Sequence, residues 1–399
     1  MEECYHCQRR QGLAFASAQS RTWGECIVNA GERVDFGDLL RQHRKAAGLT
    51  QEDLAERAGL SVDTISLASR GDKELGLRLA GALSHFWYVR EHHSESRVWL
   101  QRALERGGDA GAARAKLLVG AGRLAWFQGE FARVNTLVEE SLLLYQNLGD
   151  DAGAAFALLV LGRTAVSQGN RVRGETLVEE SLALFHQQEN NWGIARSFIV
   201  LGDGALFEGD VERAVFRFQK ALDMARDLED AEGVALSLLY LGRAAHMRGD
   251  EARSNALLEE SLAVFKESVD SRGVAEVLLE LGRVAHAQGN DEHALAFCRE
   301  SLVRSRKLDN KSQIAFCLML AGEIQTAKDA ARAARLFAAT EKLLQSLDAA
   351  LDPSGSLGYE SKLANTRARL GEQDFAKAWQ EGRMMTLEQA VTEAMNYAS

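Results

Sequence analysis

The residues of this 399-residue chain that could support chemistry are few and far apart. Cys4, His6 and Cys7 have the ligand spacing of half a zinc site, but no second Cys-x-x-Cys or histidine pair follows at a workable distance and Cys26 stands alone. That segment reads as part of a poorly ordered arm, residues 1–32. No Gly-x-x-x-x-Gly-Lys-Ser/Thr stretch occurs, and Gly-Lys is absent as a dipeptide, so the chain offers no loop to cradle a phosphate. Carboxylate pairs, a nucleophile elbow and metal motifs are equally lacking. The expectation is a protein that is not an enzyme and carries no cofactor or metal. Cys298 and Cys317 complete an odd set of five cysteines, read as reduced thiols.

Charged and aromatic residues recur more regularly. Arg123, Arg163, Arg243 and Arg283 are each followed 17 residues later by an acid, Glu140, Glu180, Glu260 or Glu300, while the unit with Asp203 has Lys220 instead. The swap suggests an ion bridge inside each unit, worth about 0 to 1 kcal/mol if exposed. Residues that vary between units on the same helix face, Trp126, Arg196, Tyr240, Glu276 and Glu280, are better candidates for holding a partner, because generic stacking does not require them. His246 and His286, one unit apart, are candidates for the same groove.

The elements that must position these residues are helices. Pro353 is the single proline, where average usage predicts roughly twenty in a chain of this size, so helix breakers are scarce. The triplets Ala121-Gly122-Arg123, Leu161-Gly162-Arg163, Leu201-Gly202-Asp203, Leu241-Gly242-Arg243, Leu281-Gly282-Arg283 and Ala321-Gly322-Glu323 recur at a constant step of 40 residues. Each unit reads as an apolar helix, a Gly-Asp or Gly-Asn turn, and a second helix such as the one carrying Glu259-Glu260-Ser261-Leu262. A glycine in mid-helix costs about 1 kcal/mol relative to alanine. Its repetition therefore implies a repeated close approach of a neighbouring helix, widened by Ala125, Ala165, Ala205, Ala245 and Ala285.

The spacing LG-x-x-A-x-x-x-G-(D/N) resembles the tetratricopeptide repeat in a lengthened form. Because one hairpin cannot bury its apolar face alone, the resemblance implies an all-α solenoid, a right-handed superhelix with a concave groove for a protein, peptide or small effector. The array is expected over residues 75–351, with a helical cap over 352–399 in which Thr386 and Gln389 open the last helix as a capping pair. From Leu75 onward the chain resembles the C-terminal sensor region of bacterial regulators of the signal-transduction ATPase class.

Residues 33–72 have a different organisation. Phe36, Leu39, Leu40 and His43 share one helical face, Gly48 ends that helix, and Thr50 with Asp53 opens the next. Ala55 is small where two helices would cross, and Gly59-Leu60-Ser61 makes a short turn to a third helix. The segment resembles the Cro and phage-repressor type helix-turn-helix. That resemblance places Val62, Asp63 and Ser66 against base edges of duplex DNA, Gln51 on a phosphate, and Arg41, Arg44 and Lys45 along the backbone. The third helix ends in Ser69-Arg70-Gly71, and the two further helices usual in such families do not follow. The nucleotide-binding domain that normally joins these two ends in signal-transduction ATPase regulators is missing as well.

Formal charge limits the partners. Lys+Arg number 47 against Asp+Glu 57, a net charge of -10, so any nucleic-acid contact must be local. Residues 32–71 carry six basic side chains against seven acidic ones. Met1 to Arg10 hold no apolar run of the signal-peptide kind, and the longest apolar stretch, Ala154 to Leu161, is far short of a bilayer span. The sequence thus predicts a cytoplasmic DNA-binding transcription regulator with no membrane contact. The alternative is a protein-protein interaction scaffold with a vestigial helix-turn-helix.

Overall fold

The computed structural model describes residues 111–351 and 358–396, with positions 50, 52, 100, 101 and 103–105. Fifteen helices fall in the two long stretches. Six hairpins come first: α1 (Gly111–Phe127) with α2 (Phe131–Leu148), α3 (Asp151–Ser167) with α4 (Arg171–Gln187), α5 (Asn191–Phe207) with α6 (Val211–Asp227), α7 (Ala231–Met247) with α8 (Glu251–Glu267), α9 (Ser271–Ala287) with α10 (Asp291–Lys307), and α11 (Lys311–Gln325) with α12 (Ala330–Leu347). Three shorter helices follow, α13 (Tyr359–Leu370), α14 (Glu372–Met384) and α15 (Leu387–Met395), packed on α10, α11 and α12. No strand occurs among the described residues. None of their helices is long and apolar enough to cross a membrane.

The 40-residue step has a simple mechanical origin. From α3 to α10 every helix has 17 residues, and three-residue turns join them. Turns within a hairpin use a left-handed glycine, for example Gly169 at φ 77°, followed by an Asn or Asp whose side chain accepts the N–H of the third helical residue. Turns between hairpins need the same backbone shape but place Glu189, Glu229, Val269 and Asp309 at φ between 51° and 57°. The left-handed region disfavours a β-branched side chain most, so Val269 is strained.

The mid-helix glycines are contact points. A methyl group added at Gly122, Gly162 or Gly202 would overlap Val138, Val178 or Phe218 on the paired second helix, and at Gly322 it would lie 3.0 Å from Phe337. A second series, Gly153, Gly193 and Gly273, receives the rings of Tyr145, Phe185 and Phe265 from the preceding hairpin. At the two other positions of this register Gly233 meets Ala225, and Gln313 stands for the glycine where Ser305 stands for the ring, both side chains being buried. Large residues thus face small ones at most levels of the stack, as close packing requires.

A polar contact repeats with the same period. The hydroxyls of Ser141, Ser181, Ser261 and Ser301 on second helices donate to the carbonyl oxygens of Ala115, Ala155, Ala235 and Ala275 on first helices, each at 2.7 Å. These serines are fully buried, so the bond satisfies a group that would otherwise be costly inside the stack.

First helices of neighbouring hairpins touch, whereas the second helices are splayed, so the first helices form the inner wall of the curve. The curve is tight enough to bring the array back on itself. Phe127 and Leu308 bury each other together with part of Trp126. Gln168 Nε2 donates to Asp348 Oδ2 at 2.6 Å, and Ala350 N donates to Ser167 O at 3.0 Å. The Gln168–Asp348 pair spans 180 residues, which is four and a half repeats and so one turn of the coil. Residues one turn apart thus meet, and the superhelix expected from sequence is wound tightly enough for successive turns to touch.

Candidate functional site

The inner wall collects the side chains that vary between repeats. On α1, α3 and α5 it is built from arginines lying over aromatic rings. The Arg163 guanidinium sits 3.8 Å from the centre of the Trp126 ring, Arg123 lies 5.5 Å from Phe156, and Arg196 lies 5.3 Å from Trp192. Phe156 and Trp192 are themselves neighbours, at 6.0 Å between ring centres. Such stacking holds a planar cation by its face.

Further along, on α5, α7 and α9, the wall neutralises itself. Glu280 is 1% exposed and accepts from Arg243 on the neighbouring α7 and from Arg283 one turn along α9, both at 3.0 Å. Arg243 also approaches Asp203 on α5 at 3.6 Å. A second chain of charges runs from Arg196 to Asp230 (3.0 Å) and Glu232 (3.2 Å), and from Glu232 to Arg272, which reaches Asp270 and Glu276 as well. Buried charges are tolerated when each has a counter-charge in good geometry, and these two networks tie three first helices together.

Tyr240 lies between the two halves. Its ring stacks on Phe218 at 5.2 Å and Arg243 lies 5.1 Å from the ring centre. Burial, reinforced by the Asp203 and Glu276 carboxylates, pushes the hydroxyl well above the ordinary tyrosine range, while Arg163 and Arg243 act in the opposite direction.

The residues singled out from sequence therefore divide. Trp126, Arg196, Tyr240, Glu276 and Glu280 all fall on this wall, but Arg196, Glu276 and Glu280 are held in ion bridges rather than standing free. His246 and His286 sit at the ends of α7 and α9, where Nδ1 of each meets an acid at the start of the next helix, Glu251 at 2.8 Å and Asp291 at 2.7 Å. They pair locally and do not converge.

The ion bridges expected within each hairpin do not form. Glu140 pairs with Arg114, Glu260 with Arg226 and Glu300 with Arg304, while Glu180 is exposed. Lys220 instead approaches Phe198 and Phe216. Arginines such as Arg163 and Arg243 lie on the inner wall and the acids on the outer helices, so a hairpin's thickness separates them. The serine bonds and the second glycine series went unread. Both were present in the sequence as Ser141, Ser181, Ser261 and Ser301 and as Gly153, Gly193 and Gly273 at the repeat period.

The candidate DNA-reading residues Arg41, Arg44, Lys45, Gln51, Val62, Asp63 and Ser66, like Cys4, His6 and Cys7, lie outside the described residues. A family profile described as a helix-turn-helix domain matches residues 35–80, and one described as a tetratricopeptide repeat matches residues 274–308. The chain joins a helix-turn-helix segment to a tetratricopeptide array. An uncharacterized HTH-type transcriptional regulator of Methanothermobacter thermautotrophicus is 50% identical over 42 residues, which are 10% of this chain and 61% of that protein.

Solved structures extend the likeness to the whole fold. A Rap protein complexed with competence and sporulation factor superposes with a TM-score of 0.61 at 13% identity, covering 90% of this chain and 97% of that one. NprR in complex with its cognate peptide NprX gives 0.59 at 13% identity, covering 86% and 96%. Similarity at this level of identity concerns the fold of the tetratricopeptide solenoid.

Proposed function

We propose that this protein is a DNA-binding transcription regulator whose array recognises a peptide or protein segment on its inner wall. The observation that carries the reading is the joining of a helix-turn-helix segment to a coiled array whose inner wall is cationic and aromatic at one end. Solved arrays of the same fold, the Rap and NprR complexes, hold a factor or a peptide by their own descriptions, and this supports a peptide as the effector here. Residues 33–72 would supply the DNA reader, with Val62, Asp63 and Ser66 at base edges and Gln51, Arg41, Arg44 and Lys45 on the backbone. Nothing in this role requires catalysis or a cofactor.

Fluorescence anisotropy of the full-length protein on genomic duplex fragments, over a series of salt concentrations, tests the reading. Affinity should fall steeply with salt, since phosphate contacts supply most of it, and a Gln51→Ala variant should weaken binding to all sequences alike. One observation favours the scaffold as a second reading: residues 32–71 carry more acidic than basic side chains, with Asp63 on the expected recognition face. Absence of any duplex binding at low salt would select it.

A further inference from the structure

The described residues hold two cysteines, Cys298 on α10 and Cys317 on α11, and these two meet. Cys298 Sγ donates to the backbone oxygen of Cys317 at 3.3 Å, and Cys317 Sγ donates at 3.3 Å to Ser301 Oγ, one helical turn beyond Cys298. The corresponding residues of the earlier hairpins are Val138 with Ala157, Val178 with Ser197, Phe218 with Ser237, and Leu258 with Val277. Generic stacking therefore requires a thiol at neither place.

Cys298 also departs from its register in direction. In the first four hairpins the residue of this register, Val138, Val178, Phe218 or Leu258, packs onto the mid-helix glycine of its own hairpin. At Gly282 that place is taken by Leu320 from α11, 3.0 Å from where a methyl group would stand, and the Cys298 sulfur is turned towards α11 instead. Both thiols are shut away from solvent, Cys298 at 1% and Cys317 at 0% exposure. The hydrogen bond to the Cys317 thiol, with burial adding to it, pushes the Cys298 thiol well above its ordinary range, while Arg283 and Arg299 act in the opposite direction. A thiol that keeps its proton reacts slowly, so the pair persists as a dithiol until a small oxidant enters through local opening of the stack.

We propose that Cys298 and Cys317 form an oxidation site, a buried dithiol that a peroxide converts into a disulfide fastening α10 to α11. One sulfur, as thiolate, attacks a peroxide oxygen and the O–O bond breaks, leaving a sulfenic acid and a hydroxide that takes up the proton released by the thiol. The second sulfur then attacks the sulfenic sulfur, the S–O bond breaks, and the hydroxyl leaves with the second thiol's proton as water. With hydrogen peroxide, two thiols together lose two electrons and the peroxide is reduced to two waters. The new bond crosses the junction beside the turn that bears Leu308, whose contact with Phe127 joins successive turns of the coil. Oxidation thus fixes the rotation between the fifth and sixth hairpins, whatever the array binds.

Treating the reduced full-length protein with hydrogen peroxide, at neutral and at alkaline pH, and mapping it by non-reducing tryptic digestion and mass spectrometry tests the site. Residues 284–299 and 312–328 should appear as one linked peptide under at least one of the two conditions, and dithiothreitol should separate them. The linked protein should have a higher urea midpoint than the reduced one, because the bond closes a loop in the unfolded chain. Cys298→Val and Cys317→Ser place residues that other hairpins carry at these positions, so each variant should keep its helix content and lose both the linkage and the peroxide-dependent rise in midpoint. Recovery of both cysteines as free thiols after unfolding would overturn the proposal. So would linkage of either one to Cys4, Cys7 or Cys26, or their separate oxidation to sulfinic acids, since each shows that the two sulfurs do not join. A linked protein whose midpoint is unchanged or lowered would overturn the fastening of α10 to α11.

Discussion

Val269 adopts φ 57° in a turn where a homologous position, Gly149, adopts φ 66°. The left-handed conformation costs a β-branched residue about 1–2 kcal/mol, part of which a glycine gives back through its freer unfolded chain. Val269 is 57% exposed, so little packing is lost with it. Val269→Gly should therefore raise the urea midpoint, by about 1 kcal/mol of stability; a lowered midpoint would show that the valine side chain matters more than the backbone. Ion pairs can be sorted at the same scale. A double-mutant cycle on Arg243 and Glu280 should give a coupling of about 1–3 kcal/mol, because the carboxylate is buried, and the same cycle on Arg163 and Glu180 should give about zero. Equal couplings would contradict the observed pairing.

At the level of the helix, the interface within a hairpin combines one glycine crossing with one serine bond. Ser181 Oγ donates to Ala155 O at 2.7 Å, and neither residue has measurable exposure. Removing the hydroxyl leaves the carbonyl with its own helical N–H partner, so Ser181→Ala should cost only about 1 kcal/mol in urea unfolding. A loss of several kcal/mol would mean that the serine does more than bridge two helices. Helices, turns and hairpin pairing were legible because they are local. Gly-Asn and Gly-Asp mark the turns, capping residues sit three places before the N–H they accept, and the 40-residue step repeats both. The serine bond was less legible, since Ser181 and Ala155 lie 26 residues apart and nothing in a serine's identity says which carbonyl it meets.

The whole molecule is set by how those hairpins accumulate rotation. Four and a half repeats complete one turn, and the contact of Phe127 with Leu308, the Gln168–Asp348 bond and the Ala350–Ser167 bond join successive turns. Leu308 is 2% exposed, so Leu308→Asp would place an unpaired carboxylate against Phe127. Small-angle scattering should then show a larger radius of gyration while far-ultraviolet circular dichroism stays helical. Unchanged scattering would mean that the coil is held by the curvature of the stack alone and that these contacts between turns merely accompany it.

The sequence by itself determined the hairpin, the stacking order and the glycine contacts, because each depends on residues within one repeat or on its immediate neighbour, and a constant period copies that information six times. It also marked Trp126, Arg196, Tyr240, Glu276 and Glu280 as departures from the repeat. Which of these stand free and which are bound into ion bridges was decided only in three dimensions. Glu280 meets Arg243, 37 residues away, and Gln168 meets Asp348, 180 residues away. Such pairings depend on the small rotation between hairpins, a quantity that packing sets collectively and no single residue encodes.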